Sequence, residues 1–334
     1  MMRLPKMDHC APATVSDVCS LLDEHGTEAR LLAGGSDLLA ACKLRNLRPS
    51  LLVSLGRIPE LKKISFQGHE GLRIGAMTSL RDVRYHSSIR DKYRALAQAA
   101  EVVGTVQLQA MGTVGGNLCV NTRCIYYNQS ESWRRSRAVC FKMGGNVCHV
   151  VPKCKKCYAV FSADTPPALI ALDAQVKLIS SAGERVISLS DLYTGNGKDP
   201  LAIRSGEVLT EIRVPEPVGR QSSTYLKYRA RGAIDFPLVG VAVRMGANGD
   251  GICVDCKVVL NAVGSAPIEV PYAGELLKGK APTEELISQA AETAAKGAHP
   301  VANTLISTTA YRRKMAGILT RRALFATANT LGLV

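Results

Sequence analysis

Aromatic residues are scarce in this sequence, at 5% of 334 residues with one tryptophan, and long apolar runs are missing. Because modules that bind RNA or DNA interleave aromatic with basic residues, this scarcity argues against a nucleic-acid partner. No window approaches the roughly 18 apolar residues of a membrane span, and the opening MMRLPKMDHC lacks a signal-peptide core. We therefore predict a cytoplasmic protein without membrane contact.

Cysteine, in contrast, is plentiful, with eleven residues in the chain. An odd number of cysteines without an export signal argues against a disulfide framework and favours reduced thiols or metal ligands. The formal net charge is +14. This charge is typical either of a solvated basic surface or of a docking face for an acidic partner, and the sequence leaves both interpretations open.

The order of strand and helix patterns predicts an α+β protein of three units. Residues 1–57 form a first α/β unit, in which Ser16 is the expected N-cap of a helix. Residues 58–217 combine strands and helices around a cysteine-rich insertion at about 119–160. Residues 218–334 hold three strand-like runs followed by two helical patterns, which indicates an antiparallel sheet plus helices.

Two glycine pairs stand where the chain enters a helical pattern. Gly34 and Gly35 lie between the strand pattern ARLL and the helical LLAACK, where free N–H groups suit a pyrophosphate. Gly115 and Gly116 lie in GTVGGNL, whose hydroxyl and amide side chains can bond phosphate or ribose. Neither pair is the G-x-G-x-x-G fingerprint, and for the first a tight turn without a ligand is the simple alternative.

Taken together, LAGGSDL and GTVGGNL resemble the two FAD pyrophosphate loops in the FAD-binding subunits of the molybdenum hydroxylase family. Ser36 replaces the usual threonine and keeps its hydroxyl. The resemblance continues through LRIGA, LTEIRVP, LKYRAR and YRRKMAGIL. It implies a two-part FAD-binding domain of the vanillyl-alcohol-oxidase type and a C-terminal domain of the CO dehydrogenase flavoprotein type. The loop residues that the resemblance assigns to FAD are Leu31, Leu32, Ala33, Gly34, Gly35, Ser36, Asp37, Leu38, Thr113, Val114, Gly115, Gly116 and Asn117.

Three further positions match the family. By resemblance, Asp164 helps to hold the FAD ribose, Leu209 lies near the isoalloxazine and Lys227 lies near the flavin. Each has an ordinary alternative. Asp164 would be a helix cap, Leu209 a core residue and Lys227 a surface cation.

An insertion of about forty residues separates Asn117 from Asp164, whereas little separates these positions in most of the family. The insertion contains six cysteines and the tryptophan. It holds one C-x-x-C, from Cys154 to Cys157, where a zinc ribbon usually has two. Thiolates at varied spacing suit an iron–sulfur cluster, and four sulfurs, with His149 as a spare ligand, suit zinc equally. The spacing leaves both open, with unligated thiols as a third alternative.

The insertion is similar to that of one branch of the family, the FAD subunits of 4-hydroxybenzoyl-CoA reductases, where it binds an additional 4Fe–4S cluster. The strings TRC, YNQSE, WR and CHV and the intervals between cysteines are shared. The resemblance implies Cys124, Cys140, Cys148 and Cys157 as metal ligands. A remodelled turn would let Cys154 replace Cys157.

No triad or acid–base constellation is apparent, so we predict no catalytic residue in this chain. The resemblance implies an electron-relay subunit that works with a molybdopterin-binding large subunit and a small subunit with two 2Fe–2S clusters. The assembly would be a dimer of heterotrimers, with ferredoxin as the electron donor. The alternatives are the flavin subunit of a related molybdenum hydroxylase acting on another aromatic or N-heterocyclic substrate, and a zinc-containing nucleotide-binding protein.

Overall fold

The computed structural model describes residues 3–334, and its N-terminal part is a small parallel sheet with strand order β1-β3-β2. Its elements are β1 (Asp8–Cys10), α1 (Val15–His25), β2 (Ala29–Leu32), α2 (Leu38–Lys43) and β3 (Leu51–Ser54). The predicted N-cap of α1 was wrong. Thr14 caps the helix, because its hydroxyl accepts a hydrogen bond from the Asp17 amide at 3.1 Å. Ser16 is the second residue of the helix and lies within its first turn.

The middle part is built on a five-stranded antiparallel sheet with strand order β4-β5-β8-β6-β7. Its strands are β4 (Ile64–Phe66), β5 (Leu72–Gly75), β6 (Gln175–Ser180), β7 (Gly183–Ser188) and β8 (Val208–Val214). Its helices are α3 (Leu80–Tyr85), α4 (Ser87–Lys92), α5 (Arg94–Glu101), α6 (Val106–Met111), α7 (Val114–Leu118), α8 (Glu131–Arg135) and α9 (Thr165–Ala171). The buried residues of α5 and α9 join those of the sheet in one hydrophobic core.

The C-terminal part is a four-stranded antiparallel sheet with strand order β12-β11-β10-β9, followed by helices. Its elements are β9 (Arg220–Tyr228), β10 (Val239–Ala247), β11 (Cys253–Asn261), β12 (Ile268–Glu269), α10 (Pro271–Glu275), α11 (Glu284–Gly297) and α12 (Thr309–Thr330). The turn NGDG joins β10 to β11, as its hairpin pattern predicts.

Alternation along the C-terminal strands places this sheet between two sets of helices. Val241 and Val243 pack with the residues of α11 and α12, whereas Ala242 belongs to the core that contains α5 and α9. Tyr225 is also buried in the core that contains α5 and α9. Since side chains two residues apart on a strand share a face, Lys227 also points toward the middle part. The C-terminal sheet therefore places the two polar side chains of Tyr225 and Lys227 in the interior of the middle part.

The insertion between α7 and α9 has little regular structure apart from α8 and a 3-10 turn at Phe141–Met143. A two-way backbone pair between Arg123 and Val160, at 2.8 Å in each direction, closes its base. The buried Arg134 guanidinium donates to the carbonyls of Leu44 and Arg45, both at 3.1 Å. These bonds seat the insertion on the turn that follows α2.

The α+β class is confirmed. The strand patterns LRIGA and LTEIRVP pair with each other as β5 and β8, and the three C-terminal runs form neighbouring strands. Among residues 3–334, no helix combines the length and apolar character that crossing a bilayer requires.

Candidate cofactor site

The two glycine loops, far apart in sequence, touch each other in the fold. A Cβ added to Gly34 would lie 2.1 Å from the carbonyl oxygen of Met111 and 2.9 Å from the Cα of Gly112. A Cβ added to Gly116 would lie 3.9 Å from that of Ala33. Backbone therefore packs directly on backbone at this junction, and only glycine at position 34 allows it.

The first loop leaves a row of hydrogen-bond donors free. Within residues 3–334, no acceptor is bonded to the backbone N–H groups of Gly34, Gly35, Ser36 or Asp37. Gly35 has a φ of +74°, which turns the chain into α2. Since unpaired N–H groups before a helix bind anions, this loop fits a pyrophosphate.

The second loop forms the start of α7 and is internally satisfied. The Thr113 hydroxyl accepts from the Gly116 amide at 3.1 Å, and the Gly115 amide donates to the Ala76 carbonyl at 2.9 Å. Asn117 is buried, and its Oδ1 accepts from the amide of Thr165 at 3.1 Å and from its hydroxyl at 2.6 Å. This loop therefore fixes the first loop and the start of α9 in place, and its own amides have little left to donate.

Asp164 lies at the centre of a buried polar group, with 3% of its surface exposed. The Tyr225 hydroxyl donates to one carboxylate oxygen at 2.8 Å, and the Lys227 ammonium donates to the other at 2.9 Å. Lys227 also donates to the Val102 carbonyl at 2.9 Å. Burial raises the pKa of Asp164 and lowers the pKa of Lys227, since each loses hydration, although their mutual attraction opposes both shifts.

These contacts decide between some of the alternatives for the three matched positions. Asp164 stands at the N-cap position of α9 but makes no capping bond, because its carboxylate faces the C-terminal sheet. Lys227 is not a surface cation, since its side chain is 2% exposed. Leu209 is buried in the core beside Thr210, whose carbonyl accepts from the Ala76 amide at 2.9 Å. All three side chains are therefore buried in the protein interior.

The four cysteines that the family resemblance assigns as ligands line one cavity in the insertion. Its other lining residues are Tyr126, Phe141, Lys142, Val147, His149, Val150 and Ala159. The sulfur of Cys148 accepts from the Val151 amide at 3.4 Å, and that of Cys157 accepts from the Ala159 amide at 3.5 Å. Burial raises the pKa of the Cys124 and Cys157 thiols. In the described part of the chain, no three Cys, His, Asp or Glu side chains meet at one ion-sized position.

Cys154 lies outside the lining of this cavity but next to it. Its thiol contacts that of Cys148 and donates to the Lys156 carbonyl at 3.2 Å. Cys154 thus remains the nearest possible substitute for one of the four lining thiols.

Two cations of the insertion connect it to the rest of the site. Arg123, at the base of the insertion, forms an ion pair with Asp37 of the first glycine loop, and its guanidinium stacks 4.9 Å from the Phe236 ring. Lys142 donates to oxygens of residues 121, 122 and 197. Nothing in the local sequence pattern predicts these partners, because they come from distant segments.

Comparison with known proteins agrees with this geometry. Residues 5–217 match the family described as the FAD binding domain in molybdopterin dehydrogenase, and residues 224–327 match the CO dehydrogenase flavoprotein C-terminal domain. The chain is therefore a two-domain flavoprotein. It belongs to the FAD-binding subunits of the xanthine dehydrogenase and CO dehydrogenase family of molybdenum hydroxylases.

Individual relatives span nearly the whole chain. The aldehyde oxidoreductase FAD-binding subunit PaoB of Escherichia coli strain K12 is 31% identical over 300 residues, covering 87% of this chain and 90% of the relative. The carbon monoxide dehydrogenase of Hydrogenophaga pseudoflava superposes with a TM-score of 0.80 at 28% identity, covering 98% of each chain. The quinoline 2-oxidoreductase of Pseudomonas putida 86 gives a TM-score of 0.79 at 26% identity, covering 99% of each.

We predict that Gly34→Ala separates the two loops, because the new methyl group would overlap the Met111 carbonyl. The variant should purify with less than half of the wild-type FAD, and its free energy of unfolding should fall by about 1–3 kcal/mol. Flavin absorbance per chain and urea denaturation measure the two effects. Gly249→Ala is the matched control, since a Cβ there meets nothing within 4 Å. Full FAD in Gly34→Ala would contradict the contact.

We predict that Lys227→Met lowers the free energy of unfolding by about 3–5 kcal/mol, because it leaves the Asp164 carboxylate buried without its cation. Urea denaturation of the full chain measures the loss. The control is Lys257→Met on β11 of the same sheet, whose partner Asp173 is 42% exposed, so that its loss should be at most about 1 kcal/mol. Equal losses in the two variants would show that burial of the Asp164 pair has no special effect.

Proposed function

We propose that this chain is the FAD- and 4Fe–4S-binding electron-transfer subunit of a molybdenum-containing 4-hydroxybenzoyl-CoA reductase. The complex would reductively remove the phenolic hydroxyl group with electrons from reduced ferredoxin. The single observation that carries the cluster assignment is the convergence of Cys124, Cys140, Cys148 and Cys157 on one cavity of the insertion. The segment from Cys124 to Cys157 is mostly irregular, so no single helix or strand requires the four cysteines to come together.

The residues present fit FAD. The free N–H row from Gly34 to Asp37 would hold the pyrophosphate, with the Ser36 hydroxyl as a further donor. Asn117 and the Asp164 group would keep the loops and α9 in register around the cofactor. When bound, FAD supplies the exchange between one-electron and two-electron transfer, and no acid–base residue of this chain is needed for that exchange.

The structure of the cavity supports a cluster more strongly than the spacing of the cysteines in the sequence does. Cys157 is buried, the other three cysteines are half-buried, and all four line the cavity. Backbone amides donate to the sulfurs of Cys148 and Cys157, and such bonds stabilise thiolate ligands. The fourth ligand is proposed as Cys157, with Cys154 as its one competitor.

The connection between the two sites supports an electron relay. The ion pair of Arg123 with Asp37 joins the base of the insertion to the first glycine loop. The Arg134 bonds to the turn after α2 hold the insertion against the same subdomain. The thiol cavity is therefore fixed relative to the loop that would hold FAD, which a relay between two redox groups requires.

We also propose which partner subunits this chain assembles with. Relatives described as medium chains of carbon monoxide dehydrogenases support a heteromeric assembly. We propose a large molybdopterin subunit, a small subunit with two 2Fe–2S clusters, and a dimer of such trimers in the cytoplasm. Each turnover would consume two electrons and two protons, replace the phenolic C–O bond by C–H and release water. The substrate would bind the molybdenum subunit.

The exposed cations of the insertion, which we call its rim, support an acidic donor such as ferredoxin. The exposed basic side chains of the insertion are Arg135, Arg137, Lys153, Lys155 and Lys156. Positive charge at such a rim speeds the encounter with a negatively charged carrier. The rim therefore marks the face where electrons would enter.

A second candidate is the flavin subunit of a related hydroxylase that acts on an N-heterocycle. It is favoured by the relatives described as a nicotinate dehydrogenase FAD-subunit from Eubacterium barkeri and the quinoline 2-oxidoreductase. Assays of the purified complex separate the candidates. The proposal expects turnover of 4-hydroxybenzoyl-CoA with reduced ferredoxin, whereas oxidation of nicotinate or quinoline without activity on the thioester would favour the second. A colourless chain containing zinc would instead support a nucleotide-binding protein.

We predict that Cys140→Ser abolishes the 4Fe–4S signal but retains FAD, because the glycine loops lie outside the cavity. Iron, acid-labile sulfide and the low-temperature EPR spectrum of the dithionite-reduced, anaerobically purified complex measure the cluster. Cys154→Ser is the matched control and should keep full iron. Full iron in Cys140→Ser would refute the ligand set, and loss of iron in Cys154→Ser with retention in Cys157→Ser would exchange the fourth ligand.

We predict that Lys155→Glu/Lys156→Glu lowers kcat/KM for reduced ferredoxin about tenfold at low salt, with a smaller effect at high salt. Turnover with a small uncharged reductant should be unchanged. Lys278→Glu/Lys280→Glu introduces the same change of charge at exposed positions of the C-terminal domain and should have little effect. Equal effects of the two pairs would refute docking at the rim.

A further inference from the structure

Lys142 is the one lysine that lines the thiol cavity. It follows Cys140 by two residues, at the 3-10 turn Phe141–Met143. Its ammonium donates to Asn121 Oδ1 at 2.8 Å, to Thr122 Oγ1 at 2.7 Å and to the Gly197 carbonyl at 2.6 Å. Three neutral oxygens therefore hold this cation in one position at the wall of the cavity.

The charge of Lys142 is not cancelled by a carboxylate. Among residues 3–334, no Asp or Glu oxygen lies within 4.0 Å of its ammonium, although nineteen other pairs meet that distance. The cavity that Lys142 lines contains no Asp or Glu side chain. Its four cysteine sulfurs are the groups that would carry negative charge beside this ammonium as cluster ligands.

The surrounding cations differ from Lys142 in their exposure. Lys155 and Lys156 are exposed at the rim, where water and salt screen their charge. Lys142 is only partly accessible, and its position is fixed by three hydrogen bonds. A fixed charge in a partly buried position acts on a redox group far more strongly than a mobile, solvated one.

We propose that Lys142 is a positioning residue that sets the reduction potential of the cluster in this cavity. This inference rests on the cluster assignment made above. Reduction adds one negative charge to the cluster, and a fixed cation at the cavity wall stabilises the reduced state relative to the oxidised state. The same three bonds join the ligand-bearing turn to residues 121, 122 and 197, so the cation is also held at a constant distance from the ligands.

The test is an EPR-monitored redox titration of the native complex, purified without oxygen, for wild type, Lys142→Met, Lys142→Gln and Lys142→Arg. We expect the neutral variants to lower the reduction equilibrium constant of the 4Fe–4S signal about tenfold, which is about 59 mV for a one-electron couple. Lys142→Arg should stay within about threefold of wild type, since it keeps the charge. Lys156→Met, an exposed cation of the same insertion, is the matched control and should also stay within about threefold.

The outcomes separate this inference from the proposed function. If the wild type contains no iron and sulfide beyond two 2Fe–2S clusters, the cluster assignment fails and Lys142 loses its target. If the cluster is present and the potential of Lys142→Met and Lys142→Gln equals that of wild type, only the role of Lys142 is refuted. If both neutral variants lose iron while Lys142→Arg retains it, a positive charge at this point of the cavity wall is required for the cluster to bind. Loss of iron in Lys142→Arg as well would assign Lys142 to packing alone and overturn the inference.

Discussion

The architecture depends on the direct contact of two backbone segments, the first glycine loop and the turn from α6 into α7. There is no room for a side chain between Gly34 and the Met111 carbonyl, so the contact exists only because position 34 is glycine. Behind it, Asn117 bonds to Thr165 and the Asp164 carboxylate binds Tyr225 and Lys227. One chain of contacts thus runs from the N-terminal subdomain through α9 to the C-terminal sheet. The first loop is therefore connected through these contacts to all three parts of the protein.

The sequence predicted the fold well because its patterns are local. The alternation in LTEIRVP and in the C-terminal runs, and the turn residues NGDG, depend on neighbours within one strand or hairpin. The position of the α1 N-cap was wrong, because Thr14 and Ser16 are equally suitable in sequence and only the helix geometry distinguishes them. Local pattern therefore determines the elements more reliably than it determines their ends.

The site was less accessible to prediction, since its contacts join distant segments. No local pattern indicates that Lys227 is buried against Asp164, or that Arg123 reaches Asp37, because pairing across more than sixty residues leaves no local periodicity. The spacing of the four cysteines in the sequence also did not predict that they would line the same cavity. Their convergence on one cavity depends on Arg134 and the Arg123–Val160 pair, which fold the insertion back on its own base. Lys142 could not be distinguished in sequence from the other lysines of the insertion.

The ratio of iron to flavin in the native complex tests most directly whether this flavoprotein carries the proposed cluster of its own. With two 2Fe–2S clusters on a companion chain and one 4Fe–4S cluster on this chain, we predict about eight irons and eight acid-labile sulfides per FAD. About four of each per FAD, or zinc in the insertion in place of iron, would contradict it.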